Sequence, residues 1–270
     1  MMTFVFRRIA AIGACLATGL LARGAIAACL LGMVDRSPLL HLASTAPVPA
    51  QHVRVTYVGH SSFLIETPEG ATAVTDYNGM NIPAVTPDIV TMNNAHSTHY
   101  TDAPSPGIRY VLRGWSEKTG GGPSHHDVRH RDLRVFNVPT NIGEYGDPTG
   151  NANSIFVFEI SGLCIAHLGH LHHVLTQEQL RKLGRIDVLF VPVDGSSTMT
   201  HPQAMAVIDQ IAPRLIFPMH WGFLGSPDAF FELAREKYTI RSEKGSTLTV
   251  SRPTLPKNTE IVFLQGGGGF

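Results

Sequence analysis

The chain has 270 residues, 43% of them apolar and 16% charged, the balance of a packed domain rather than a disordered or coiled segment. Lysine plus arginine equal aspartate plus glutamate at 21 each, so no net field attracts a polyanion and no nucleic-acid partner is expected. The length allows one large or two small domains.

In chain order, Arg7 and Arg8 precede an apolar run from Ile9 to Ala22, and Ala25-Ile26-Ala27 offers a small-x-small cleavage signature. Residues 1–30 are expected to be a signal peptide or N-terminal membrane anchor, which places the protein in the cell envelope, exported or periplasmic. The apolar run continues to Leu31 past Arg23, and Ile26-Ala27-Ala28-Cys29 resembles a lipoprotein cleavage box. A membrane tether through this segment, by a span or a lipid, therefore stays open. Residues 31–52, with Pro38, Pro47 and Pro49, read as a linker, and 53–270 as the folded domain.

From Val53 the pattern is rich in strands. Runs at 53–58, 62–66 and 72–74 are broken by Gly59 and by Pro68-Glu69-Gly70. Further strands are predicted at 88–92, 108–112, 133–138, 154–160, 163–167, 186–191, 214–218, 238–241, 247–251 and 259–264. The polar stretch holding His125, His126 and His130 reads as a surface loop. Thr176 with Gln179, and Thr200 with Gln203, form threonine-x-x-glutamine capping boxes that open two helices. Ala204, Val207, Ile208 and Ile211 give the second helix one apolar face. Ser226-Pro227 opens a third helix, with Phe230, Leu233 and Ala234 directed inward. Many strands interleaved with few helices imply packed sheets with helices outside, an α/β class.

Three of these strands run directly into histidines. Residues 88–92 precede His96 and His99, 163–166 precede His167 and His170, and 214–219 precede His220. Loops at strand ends are where such folds present reactive groups, and imidazole is the commonest metal ligand. A metal site follows from that arrangement alone.

The order of motifs resembles the metallo-β-lactamase superfamily, in its branch of ascorbate-phosphate lactonase-like and phospholipase D-like metal-dependent hydrolases. The resemblance is carried by Gly59-His60-Ser61-Ser62-Phe63, Asn94-Ala95-His96-Ser97-Thr98-His99, His167-Leu168-Gly169-His170, the segment Ile186 to Gly195, and Pro218-Met219-His220-Trp221-Gly222. It implies a four-layer αββα sandwich with the site along one edge. The metal motif departs from the family's histidine-x-histidine-x-aspartate-histidine. Asn94 replaces the first histidine, Thr98 the aspartate, and His170 a later bridging aspartate, while Asn141 or Ile142 stands where another histidine is usual.

With both carboxylates gone, the resemblance implies one divalent metal rather than two. His99, His170 and His220 are its expected ligands and His96 a fourth, zinc the first choice, with iron, manganese or nickel as alternatives. His96 or His167 is assigned as the catalytic base that Thr98 cannot be. Asn94, Thr98, Asn141, His60, Asp76 and Asp194 are expected around the ligands rather than on the ion. His60 reads equally as a packed turn residue, Asp76 as a turn cap before Asn78-Gly79, and His167 as a buried strand end. The implied function is a hydrolase using metal-activated water on a small-molecule ester, lactone or phosphodiester. A catalytically inactive binding descendant and a redox or isomerase enzyme are the alternatives.

Overall fold

The computed structural model describes residues 46–116, 122–142, 152–221 and 226–265. The expected leader and most of the linker lie outside them. Among the described residues, no helix is long and apolar enough to cross a membrane.

The chain enters through β1 (His52–Gly59), where burial alternates strictly: Val53, Val55 and Tyr57 face the core and the residues between them face out. β2 (Ser62–Glu66) returns antiparallel to it, and β3 (Thr72–Val74) antiparallel to β2. β4 (Ile89–Met92) and β5 (Tyr110–Arg113) follow parallel to β3. The chain then builds a second sheet from β6 (Asp127–His130), β7 (Leu133–Thr140), β8 (Asn153–Ile160), β9 (Leu163–His167), β10 (Val188–Pro192), β11 (Leu215–Met219) and β12 (Thr239–Glu243). β13 (Thr247–Ser251) crosses back to pair with β1, and β14 (Glu260–Leu264) inserts between β11 and β12. The result is a six-stranded sheet, β13-β1-β2-β3-β4-β5, facing an eight-stranded sheet, β12-β14-β11-β10-β9-β8-β7-β6.

Their inner faces make one core. Phe63 of β2 stacks on Phe190 of β10 at 4.2 Å between ring centroids, and Phe217 of β11 packs 5.6 Å from Phe190. Loss of such a buried ring costs about 3–5 kcal/mol. Helices α1 (Gln177–Leu183), α2 (His201–Ile211) and α3 (Asp228–Arg235) lie with the eight-stranded sheet. Both threonine-glutamine capping boxes form, at Thr176 and Thr200. In α3 the buried positions are Phe230, Phe231 and Ala234, so Phe231 takes the inward place expected of Leu233. The outer face of the six-stranded sheet carries a second apolar cluster of Leu64, Val74, Tyr77, Val90 and Met92, covered by loop residues such as Val85, Tyr100 and Trp115.

One strand was not foreseen. β6 pairs with β7 through the segment read as a loop, because its alternation of exposed Asp127 and Arg129 with half-buried Val128 and His130 is that of an edge strand. His126 is bonded to Arg113 O and His130 faces Asp88, so neither reaches the other histidines.

A histidine cluster as candidate metal centre

Parallel pairing sets which way the strands point. β1, β3 and β4 run in one direction in the first sheet, and β9, β10 and β11 run together in the second. The loops leaving their C-terminal ends meet along one edge of the sandwich. His60 follows β1, Asp76 follows β3, and His96 and His99 follow β4. From the other sheet come His170 and His172 after β9, Asp194 after β10 and His220 after β11.

The backbone at this edge is strained. His60, Asp76 and His220 have φ of 52°, 42° and 59°, in the left-handed region that costs a residue with a side chain about 1–3 kcal/mol. Hydrogen bonds hold them there. His220 N–H donates to His60 O at 3.0 Å, which ties the two sheets together, and Ser62 Oγ donates to Asp76 O at 2.8 Å. Between His167 and His170, Gly169 has φ of 61°, and a β-carbon there would overlap the Asn93 side chain.

The rings converge. His60 and His220 centroids lie 4.3 Å apart, His99 and His220 5.1 Å, and His99 and His170 4.7 Å. One ring nitrogen from each of His60, His99 and His220 falls within 4.8 Å of the other two. Two of these rings have a carboxylate behind them. His99 Nδ1–H donates to Asp76 Oδ2 at 2.5 Å, both side chains being fully buried. His220 Nδ1 lies 3.1 Å from Asp194 Oδ1, off the line of a hydrogen bond. Asp194 is itself fixed by the N–H groups of Ser196, Ser197 and Thr198 and by the Thr198 hydroxyl. A carboxylate at Nδ1 leaves Nε2 to face the cluster, the arrangement that orients metal-binding histidines.

Burial and mutual repulsion keep His60, His99 and His170 neutral. Burial, then repulsion from His220 and His99, lowers His60 to about 3. Burial, then His99 and His220, lowers His170 to about 2, and burial places His99 well below the ordinary histidine value. Burial alone would raise the Asp194 carboxyl, but His220, Thr198 and the Ser196 N–H outweigh it and hold it well below the usual range. Burial raises Asp76 to about 6, with His167 and the Asn93 N–H opposing, so it is ionised at neutral pH.

The residues fit a cation. His60 Nε2 and both ring nitrogens of His220 are buried without an aligned hydrogen-bond partner. An orphaned buried polar group costs about 1–3 kcal/mol, so several converging on one point imply a ligand that satisfies them. Neutral imidazole lone pairs suit zinc first and iron, manganese or nickel less selectively.

The other expected residues take different places. His170 Nδ1 sits 2.9 Å from His99 Nε2, on the flank of the cluster. His96 is exposed; Thr98 Oγ1 holds its Nδ1 at 3.0 Å, and its ring stacks on His170 at 5.7 Å. His167, considered as a catalytic base, is locked instead: its Nε2 bonds Ser61 O and its Nδ1 accepts from Gly169 N–H. Neither nitrogen is left to take a proton from water. Asn94 donates to Ala152 O, and Asn141 N–H donates to His173, so both staple loops together. His60, placed beside the ion by the sequence, stands in the tightest triad. His172 lies 4.9 Å from His170 with its Nε2 buried and unpartnered. The Gly-His pair at the end of the first strand was the available signal for His60.

The sequence profile of the Beta-lactamase superfamily domain matches residues 54–220, from β1 to the last histidine of the cluster. The chain belongs to that superfamily. Among its relatives, a UPF0173 metal-dependent hydrolase of Pyrococcus furiosus is 25% identical over 216 residues, covering 70% of this chain and 95% of the relative. A Thermotoga maritima protein assigned as a Zn-dependent hydrolase of the metallo-beta-lactamase superfamily superposes with a TM-score of 0.57 at 29% identity. That match covers 78% of this chain and 98% of the other. Igni18, a metallo hydrolase from Ignicoccus hospitalis, has a TM-score of 0.53 at 19% identity over 74% and 99% of the two chains, a likeness of fold. Against the superfamily's carboxylate-containing metal motif, this member's edge is almost entirely imidazole. Its two nearby carboxylates, Asp76 and Asp194, stand behind ligand candidates, where they orient rings.

Proposed function

We propose that this superfamily member is a metal-dependent hydrolase that directs water onto a small ester, lactone or phosphodiester. The observation that carries the reading is the pair of carboxylate-backed histidines, Asp76–His99 and Asp194–His220, converging with the orphaned Nε2 of His60. Nε2 of His60, His99 and His220 would hold one zinc ion, with His170 poised to join from beside His99. When bound, such an ion supplies Lewis acidity, polarising a substrate oxygen and acidifying water towards neutrality.

The chain's own groups do the rest. Asp76 fixes the His99 tautomer, and the His220-to-His60 backbone bond keeps the two sheets' contributions in register. His96 is the exposed imidazole at the rim and the group we assign to take and return the proton, steadied by Thr98. His167 supports the loop beneath. The leader sequence supports an envelope location for the mature domain.

Elemental analysis of the purified protein, with His60→Ala, His99→Ala and His220→Ala beside it, tests the reading. The expected result is about one zinc per chain in the parent, lost in each variant together with turnover of p-nitrophenyl acetate or bis(p-nitrophenyl) phosphate. A parent that binds zinc no better than these three variants refutes it.

A further inference from the structure

β8 and β9 pair from Ile160–Leu163 to Phe156–His167, where their ladder ends. Beyond His167 the chain turns through Gly169, whose φ is 61°, so the backbone groups of residues 168 and 170 leave the sheet inside the protein. Buried backbone groups need partners. Asn153, fully buried at the first position of β8, supplies them from one side chain. Its Oδ1 accepts from His170 N–H at 2.8 Å, and its Nδ2 donates to Leu168 O at 3.1 Å and to Thr140 Oγ1 at 2.7 Å. A carboxamide carries acceptor and donor in one plane, so a single residue bridges both sides of the turn. Gly169 fits between them: a β-carbon there would overlap Asn153 Oδ1 as well as the Asn93 side chain.

The backbone of the same segment is tied to the other histidine loop. Ser154 N–H donates to Asn93 O at 3.1 Å, Asn94 and Asn153 form an antiparallel bridge, and Asn94 Nδ2 donates to Ala152 O at 2.7 Å. Residues 93–94 begin the loop that leads from β4 to His96 and His99. Asn93 closes the circuit: its N–H donates to Asp76 Oδ1 at 3.0 Å, and its Nδ2 donates to Ser154 O at 2.7 Å and His167 O at 3.3 Å. Asn153 therefore stands at a joint, with its main chain on the root of the His99 loop and its side chain on the turn at His170. That joint sets His170 against His99, with His170 Nδ1 2.9 Å from His99 Nε2.

We propose that Asn153 is a positioning residue that presents His170 to the ion held by His60, His99 and His220. The inference rests on the metal-dependent reading of the site and adds the device that fixes its flanking imidazole. Without the amide, His170 N–H loses its acceptor and Leu168 O its donor, and the turn is free to swing the ring away from His99. Asn153 touches neither ion nor substrate in this role; it acts only through His170.

Zinc competition titrations of the parent, Asn153→Ala, His170→Ala and the double variant test this as a cycle. Each single change is expected to weaken zinc about tenfold or more. In the His170→Ala background, Asn153→Ala should add less than about twofold, because its effect passes through a ring that is no longer there. Asn137→Ala is the control. It breaks buried bonds to His126 N–H, Ser124 O and Ser154 Oγ, so it should lower the melting temperature in EDTA yet leave zinc affinity parent-like. With cobalt in place of zinc, the visible spectrum of Asn153→Ala should match that of His170→Ala and differ from the parent's. Asn153→Ser, whose hydroxyl is too short to span the turn, replaces the alanine variant if that one does not fold. Parent-like zinc affinity in folded Asn153→Ala or in His170→Ala, losses that multiply in the double variant, or an equal loss in Asn137→Ala overturn the inference and leave the three-histidine centre standing. A parent that takes up no zinc removes both readings.

Discussion

Replacing Asp76 by asparagine tests the metal centre at its most buried point. Asp76 and His99 are both fully buried and joined at 2.5 Å, and the other carboxylate oxygen accepts from Asn93 N–H at 3.0 Å. An asparagine keeps that second bond only by turning its NH2 towards His99 Nδ1, where two donors then face each other. His99 escapes by shifting its proton to Nε2, which removes the lone pair from the cluster. Loss of such an orienting partner weakens metal affinity about 10–100-fold, or about 1.4–2.8 kcal/mol. The metal-free fold should survive. Burial raises the Asp76 pKa to about 6, above its unfolded value, so this raised group favours folding at low pH and its charge costs stability as pH rises through 6. The neutral amide avoids that cost, and the metal-free variant should melt within about 5 °C of the parent. The assay is a zinc competition titration against a chromophoric chelator, with thermal melting in EDTA beside it. Parent-like affinity, within about threefold, in a folded Asp76→Asn protein refutes the argument, because Asp76 would then orient nothing.

Three further outcomes are expected. In EDTA, His220→Gly should be about 1 kcal/mol more stable than His220→Ala by thermal melting, since glycine relieves the left-handed backbone and both variants lack the ring. Gly169→Ala should lower stability by about 2–3 kcal/mol in urea unfolding, because its β-carbon meets Asn93, which bonds Ser154 O and His167 O. The Asp127 carboxyl is held below its ordinary value mainly by hydrogen bonds from Arg134. A lowered folded pKa gives stability that is present above about pH 4 and lost as pH falls through the folded value. The pair is half exposed, so solvent screening limits it to less than about 1 kcal/mol. Acid titration of Arg134→Gln against the parent should show that part of the pH dependence gone.

Most of the fold was legible because its signals are local. Thr176 and Thr200 cap helices by chemistry that spans only three residues, and the apolar strands need no partner to be recognised. β6 escaped because an edge strand half open to water carries polar residues on both faces. The histidine segments were legible as strand ends, but their geometry was not. His60 joins the triad through a left-handed turn that brings β1 against β11, a contact across 160 residues that no local pattern encodes. His167 reads from sequence both as a base and as a buried strand end, and the bonds to Ser61 O and Gly169 N–H that decide for the second depend on the other sheet and on a glycine turn. Asp76 and Asp194 were noticed at their strand ends, and only the folded chain shows which ring each stands behind.

His60 and His99 come from the six-stranded sheet and His220 from the eight-stranded one, so an ion shared among them would act as a rivet through the seam of the sandwich. Removing it would loosen the two halves along that seam before either half lost its own strands. Amide exchange should accordingly quicken first at residues 59–61 and 219–221, while β8 and β9, deep within a single layer, stay slow.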